Sequence, residues 1–212
     1  MRQVKIKICG LGSPEEAAAA VAAGADYLGV VLVPGRLRTR TVEQASAIFA
    51  AAAGGLRVGV FANALPAAVL AASEALQLDA VQLHGSESAV ELVRLRALGA
   101  PPLWKVLAVP QGAATLAAFD AYGAAADAIV LDGSDGGRGV RFDWAAFRPL
   151  RPRLPRGVGL VVAGGLTPEN VAEAVAELAP DVVDVSSGVE SSPGRKSEQL
   201  IRAFVVAARG SG

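Results

Sequence analysis

From Val4 to Ile8 apolar residues alternate with Lys5 and Lys7, and the run closes on Cys9, the sole cysteine of the chain. Short runs rich in β-branched residues recur along the sequence, each followed by a turn and an alanine-rich stretch. That alternation predicts parallel strands joined by crossover helices. Eight strands are expected, at Val4–Ile8, Tyr27–Val31, Arg57–Phe61, Ala80–Leu83, Leu103–Ala108, Ala128–Leu131, Gly159–Ala163 and Val182–Val185. Their number and spacing predict an α/β fold, a single-domain (β/α)8 barrel over residues 1–212. A doubly wound open sheet shows the same alternation but needs only five or six such units.

Punctuation residues refine the pattern. Ser13-Pro14-Glu15-Glu16 and Thr167-Pro168-Glu169-Asn170 both read as helix starts, with a capping hydroxyl, a proline and an early acid, and Gly24 closes the first helix. Between the sixth and seventh strands, Gly133 to Gly157 is rich in Gly, Pro and Arg and predicts a long loop with one brief helical stretch, "FDWAAFRPL". Neither a fixed-period repeat nor a composition shift marks a second domain.

Composition narrows the class. The chain has 212 residues, 52% of them hydrophobic, enough for a continuous core. Lys plus Arg and Asp plus Glu each number 20, so no general basic field favours nucleic acid or a membrane surface. Anion recognition must be local. A lone cysteine forms no internal disulfide, and neither a signal peptide nor a run of roughly 18 apolar residues is visible. The cytoplasm is the expected compartment.

In barrels of this kind chemistry sits at the C-terminal ends of the strands. Polar residues ending apolar runs there are Cys9, Gln82 and His84 in "VQLHG", Asp132 in "AIVLDG", and Asp184, Ser186 and Ser187 in "VVDVSSGVE". Cys9 is either a small buried hydrophobe or, as its place at an accessible mouth favours, a thiol whose pKa nearby cations can lower. Lys7 shares its parity and either pairs with Asp184 or holds the thiolate. Asp132 is a loop-capping carboxylate or, with its pKa raised by partial desolvation, an acid opposite the Cys9 base. His84, the single histidine, cannot build a histidine-rich metal site and contacts substrate or serves structure. The stretches "VVAGGLTPEN" and "DVSSGVE" bring glycines to the ends of the last two strands, the usual phosphate position of the fold. Arg36, Arg38 and Arg40 in "GRLRTR" add guanidinium groups at the mouth.

Together "KICG", "GVF", "VQLHG", "LDG…GGRGVRFDW", "AGGLTPENV" and "VDVSSGVE…PGRKS" resemble the phosphoribosylanthranilate isomerase family, in order and over essentially the whole chain. The resemblance implies a tryptophan-pathway barrel enzyme that performs an Amadori rearrangement of a phosphoribosyl anthranilate without metal or organic cofactor. It implies Cys9 as general base and Asp132 as general acid. Gly164, Gly165, Ser186, Ser187 and Gly188 correspond to the phosphate site, and Gln82, His84 and Asp184 to substrate contacts. The family arginine that takes the anthranilate carboxylate usually follows Ser-Pro, which is missing here; ungapped matching from Pro34 to Glu43 selects Arg38, and a small shift selects Arg36 or Arg40. Arg138 stands where the family commonly has threonine. The implied partner is the small phosphosugar-anthranilate substrate, with monomer and homodimer both open. Rival readings are a ribose-phosphate isomerase of the fused half-barrel type, which uses aspartates for acid and base, and a non-catalytic phosphate sensor. Cys9 and Asp132 together argue against both.

Overall fold

The computed structural model describes residues 3–108, 113–133, 144 and 151–210. Eight parallel strands close into a barrel in sequence order: β1 (Lys5–Cys9), β2 (Tyr27–Val31), β3 (Leu56–Phe61), β4 (Ala80–Leu83), β5 (Leu103–Ala108), β6 (Ala128–Asp132), β7 (Gly159–Ala163) and β8 (Val182–Val185). The seam is the β1–β8 pairing, in which Lys7 lies opposite Asp184. Around it run α1 (Pro14–Ala23), α2 (Val42–Ala50), α3 (Pro66–Leu76), α4 (Ala89–Ala97), α5 (Ala113–Gly123), α6 (Val171–Leu178) and α7 (Glu198–Arg209).

Every barrel strand is buried on two faces, so it reads as a nearly unbroken apolar run. One parity fills the barrel with Val58, Ala80, Trp104, Val130, Val161 and Val182 among others. The opposite parity, including Ile6, Ile8, Leu28, Val81, Ile129 and Leu160, packs against the helices. Toward the mouth the interior parity turns polar, and Lys7, Gln82 and Asp184 are buried there.

The expected limits of β2, β4, β5, β7 and β8 match. β1 is shifted by one residue, starting at Lys5 rather than Val4 and ending at Cys9, which pairs in register with Gly29; β3 starts one residue early, at Leu56 opposite Tyr27; and β6 ends one residue late, at Asp132, which pairs with Ala108 and Ala163. Ser13 caps α1 by accepting the Glu16 N–H, and Gly24 closes it in the left-handed region at φ 97°. The second expected helix start is displaced. The Asn170 side chain accepts the Thr167 N–H at 2.8 Å, Thr167–Asn170 forms a turn, and α6 begins only at Val171. Beyond β8 the chain makes a short 3-10 turn, Ser187–Val189, and a hairpin of β9 (Glu190–Ser192) and β10 (Arg195–Lys196) that the sequence pattern did not announce. Most of the expected loop after β6, Arg138 included, lies outside the described residues.

Candidate active site

Strand β1 brings the thiol to the mouth. Lys7 and Cys9 face inward together. Gly29 of β2 opposite them leaves the room they need, since a Cβ there would stand 3.0 Å from Cys9 Sγ and 3.1 Å from Lys7 Cε. Lys7 Nζ donates to Asp184 Oδ2 at 2.8 Å, with Lys7 fully buried. Burial alone would lower the pKa of Lys7, but Asp184 and then Cys9 outweigh it and hold the ammonium above its ordinary range. The two roles that the sequence left as alternatives for Lys7 are therefore joined: it pairs with Asp184 and faces the thiol.

The expectation of an accessible, acidified thiol is corrected. Cys9 is only 8% exposed. Burial pushes its pKa up, and the opposing pull of Lys7 does not cancel that rise, to which Asp184 adds. The fold thus favours the neutral thiol beside the Lys7 ammonium.

Across the mouth, β6 ends on Asp132, whose side chain is 13% exposed, with His84 Nε2 3.6 Å from its Oδ2. His84 sits at the rim with its side chain 41% exposed; partial desolvation lowers its pKa, and the nearby Asp132 carboxyl only partly opposes this. His84 thus lies beside Asp132 as a neutral imidazole at pH 7. The loop that carries it is held from outside the barrel by a second buried pair. Lys105 Nζ donates to Glu87 Oε2 at 2.7 Å and to the Gly85 carbonyl at 2.6 Å, while Glu87 Oε1 accepts the Asn63 N–H at 2.7 Å. Inside the mouth, Gln82 Oε1 and Asp184 Oδ1 are buried acceptors with no hydrogen-bond partner among the described residues.

The two glycine loops meet backbone to backbone. A Cβ on Gly188 would fall 1.9 Å from the Leu166 carbonyl oxygen, so only glycine lets the loop after β8 lie against the loop after β7. Gly164 and Gly165 both have positive φ, 80° and 67°, and the Gly165 carbonyl is fixed by Asn170 Nδ2 at 2.8 Å. Lys196 Nζ donates to the Ser186 carbonyl and Oγ at 3.1 and 3.2 Å, which places a buried cation under this loop.

The three arginines separate. Arg36 is exposed, and Arg40 donates back to the Gly12 and Thr39 carbonyls. Arg38 points toward Glu190, which accepts its Nε and Nη2, both at 2.7 Å. Sequence reasoning missed Glu190, Lys196, Glu87 and Lys105. The first two stood in the quoted motifs "SSGVE" and "PGRKS", but nothing local marks a charge as buried.

The fold has another hollow, a cavity of about 350 Å³ at the opposite, N-terminal end of the barrel, lined by Lys5, Tyr27, Trp104 and Arg151 among others. None of the candidate residues borders it. Among the described residues no cluster of His, Cys, Asp or Glu could hold a metal ion, and no helix is long and apolar enough to cross a membrane.

Comparison with known proteins gives this geometry a family. A sequence model of N-(5'phosphoribosyl)anthranilate (PRA) isomerase matches residues 6–207. An N-(5'-phosphoribosyl)anthranilate isomerase of Rubrobacter xylanophilus is 43% identical over 210 residues, covering 97% of this chain and 98% of the relative. The crystal structure of phosphoribosyl anthranilate isomerase from Thermotoga maritima superposes with a TM-score of 0.88 at 38% identity, covering 98% of this chain and all of that one. A second crystal structure, of a phosphoribosyl anthranilate isomerase in complex with reduced 1-(o-carboxyphenylamino)-1-deoxyribulose 5-phosphate, superposes with a TM-score of 0.86 at 37% identity over 98% of this chain and 100% of that one. A closed barrel carrying these side chains, matched from end to end in sequence and in structure, belongs to the phosphoribosylanthranilate isomerase family.

Proposed function

We propose that the chain catalyses the Amadori rearrangement of N-(5-phospho-β-D-ribosyl)anthranilate to 1-(2-carboxyphenylamino)-1-deoxy-D-ribulose 5-phosphate in tryptophan biosynthesis, with Cys9 as general base and Asp132 as general acid. The observation that carries the reading is a thiol and a carboxyl on one barrel mouth, at the ends of β1 and β6. Asp132 protonates the ribose ring oxygen, the C1–O bond breaks, and the anthranilate nitrogen lone pair closes a C1=N iminium. Cys9 then takes the proton from C2, and the C–H electron pair makes the enolamine. The enolamine then ketonises: C1 gains a proton as the C2 hydroxyl loses its own, the C=C pair moves to the new C–H bond and the O–H pair makes C2=O, and the Cys9–Asp132 pair is left with one proton again. C2 is oxidised as C1 is reduced within one substrate molecule, so the rearrangement is redox-neutral and needs only proton transfers to and from the two enzyme groups.

The pair needs one proton in total, on Asp132, and a thiolate on Cys9. Burial disfavours that thiolate. The iminium forming next to it, with Lys7 already there, supplies the compensating positive charge where the base must act. Gln82 Oε1 and Asp184 Oδ1, the unsatisfied acceptors, suit the ribose hydroxyls. Gly164, Gly165, Ser186, Ser187 and Gly188 take the phosphate through backbone N–H and hydroxyl groups, with Lys196 below them. His84 contacts substrate next to the acid, and Arg38 takes the anthranilate carboxylate. The test is direct. Phosphoribosylanthranilate fluorescence should disappear on adding the wild-type protein and persist with Cys9→Ala or Asp132→Asn; persistence with the wild type overturns the reading.

A further inference from the structure

Glu190 belongs to no step of that reaction, yet its side chain and that of Lys196, the lysine below the phosphate loop, are buried beside the group assigned to the substrate carboxylate. Glu190, 5% exposed, receives Arg38 Nε on Oε1 and Arg38 Nη2 on Oε2, Lys196 Nζ on Oε1 at 2.8 Å, and the Gly194 N–H on Oε2 at 3.0 Å. Lys196 spends its remaining donors on Ser186. The stem of Arg38 crosses Gly10, where a Cβ would stand 2.6 Å from Arg38 Cδ and 3.1 Å from Ser186 Oγ. The arginine therefore lies between the end of β1 and the loop after β8.

A guanidinium offers two edges for a carboxylate fork, the side edge of Nε and one terminal nitrogen and the end edge of both terminal nitrogens. Here the side edge is taken, and Nη1 has no hydrogen-bond partner among the described residues. We propose that Glu190 is a positioning residue for substrate recognition: it clamps Arg38 by the side edge and presents the end edge to the anthranilate carboxylate, while Lys196 keeps the cluster net positive. An isolated Arg38–Glu190 pair would be neutral and attract a second carboxylate poorly. Burial pulls the pKa of Lys196 down, and its hydrogen bond to Glu190 opposes that pull; with the proton held there, two cations and one anion leave a single positive charge, directed by geometry. Hydrogen bonds from Arg38 and Lys196, against the opposing effect of burial, hold Glu190 at a pKa of about 2, so the clamp is charged throughout the working range. This inference rests on Arg38 being the carboxylate group of the proposed function.

The experiment measures the affinity of two ligands by calorimetry: the reduced carboxyphenylamino deoxyribulose phosphate, and its phenylamino counterpart without the carboxyl group. Arg38→Ala should weaken the first by at least about thirtyfold and the second by no more than about threefold. Glu190→Gln keeps the shape but turns an amide toward an arginine donor, and should weaken the carboxylated ligand alone by at least about tenfold. In turnover the loss should fall on KM rather than kcat. Glu190→Asp, which keeps the charge but withdraws it by one methylene, should show the same selective loss. Equal loss for both ligands means a structural role, tighter binding of the carboxylated ligand means that Glu190 merely competes for Arg38, and no change means no role; each overturns the proposal. If Arg38→Ala itself shows no selectivity for the carboxyl group, the underlying assignment of Arg38 fails instead.

Discussion

Lys7 Nζ and Asp184 Oδ2 meet at 2.8 Å inside the barrel, on the two strands that close it and on the same face of β1 as Cys9. The first prediction tests this junction. Lys7→Met leaves Asp184 as an unpaired buried charge and should cost on the order of 3 to 5 kcal/mol in urea unfolding. Lys7→Met combined with Asp184→Leu should recover most of that loss while remaining inactive. Lys7 titrates above its ordinary 10.5 in the fold, so the stabilisation is complete below that pH and lost only as pH rises past the folded value. A Lys7→Met protein as stable as wild type would show that the pair is not a structural element.

Cys9→Ala should remove most turnover while leaving affinity for the reduced product analogue within about tenfold, roughly 1.4 kcal/mol. Near-normal turnover in this variant would end the assignment of the base.

The pH dependence follows from the one-proton requirement. Activity falls at low pH when the Cys9–Asp132 pair takes up a second proton, and at high pH when it loses its only one. Burial raises Cys9 above its ordinary 9.0, so the alkaline limb of kcat/KM, which reports the free enzyme, should lie above pH 9. An alkaline limb near neutrality would contradict the buried thiol.

Asp132→Asn preserves shape but delivers no proton. Turnover should fall at least about a hundredfold, with folding and inhibition by inorganic phosphate retained. Wild-type turnover across the pH range would remove Asp132 as the acid.

Gly188→Ala sets a methyl group against the Leu166 carbonyl, where 1.9 Å is available, so the two glycine loops must part. The expected result is destabilisation of roughly 1 to 3 kcal/mol and at least about tenfold weaker competition by inorganic phosphate. Unchanged phosphate inhibition would place the anion elsewhere.

Acid stability reads the Glu190 clamp. Its folded pKa of about 2 lies below the ordinary 4.5, so between those values the unfolded chain binds more protons and stability is lost as pH falls. Glu190→Gln should flatten the unfolding curve in that window, measured by denaturant titration from pH 5 to pH 2. A slope equal to that of wild type would show that Glu190 does not contribute.

What the sequence determined by itself is local or periodic. Barrel strands are buried on both faces, so their apolar runs and the polar residues that end them were legible one by one, Cys9 and Asp132 included. Ser13 and Gly24 announced a helix because caps act within four residues. Thr167 misled by three residues: its carbonyl accepts the Asn170 N–H as well as the Val171 N–H, so the first turn is tight and the regular helix begins only at Val171. The tertiary structure alone decided which charges are buried and which meet. Arg38 stands apart from Arg36 and Arg40 through Glu190, 152 residues away, and Lys7 meets Asp184 across 177 residues. It also turned the expected accessible thiol into a buried, neutral one. No local pattern carries such information, because a side chain's solvation and its partners exist only once β1 has closed against β8.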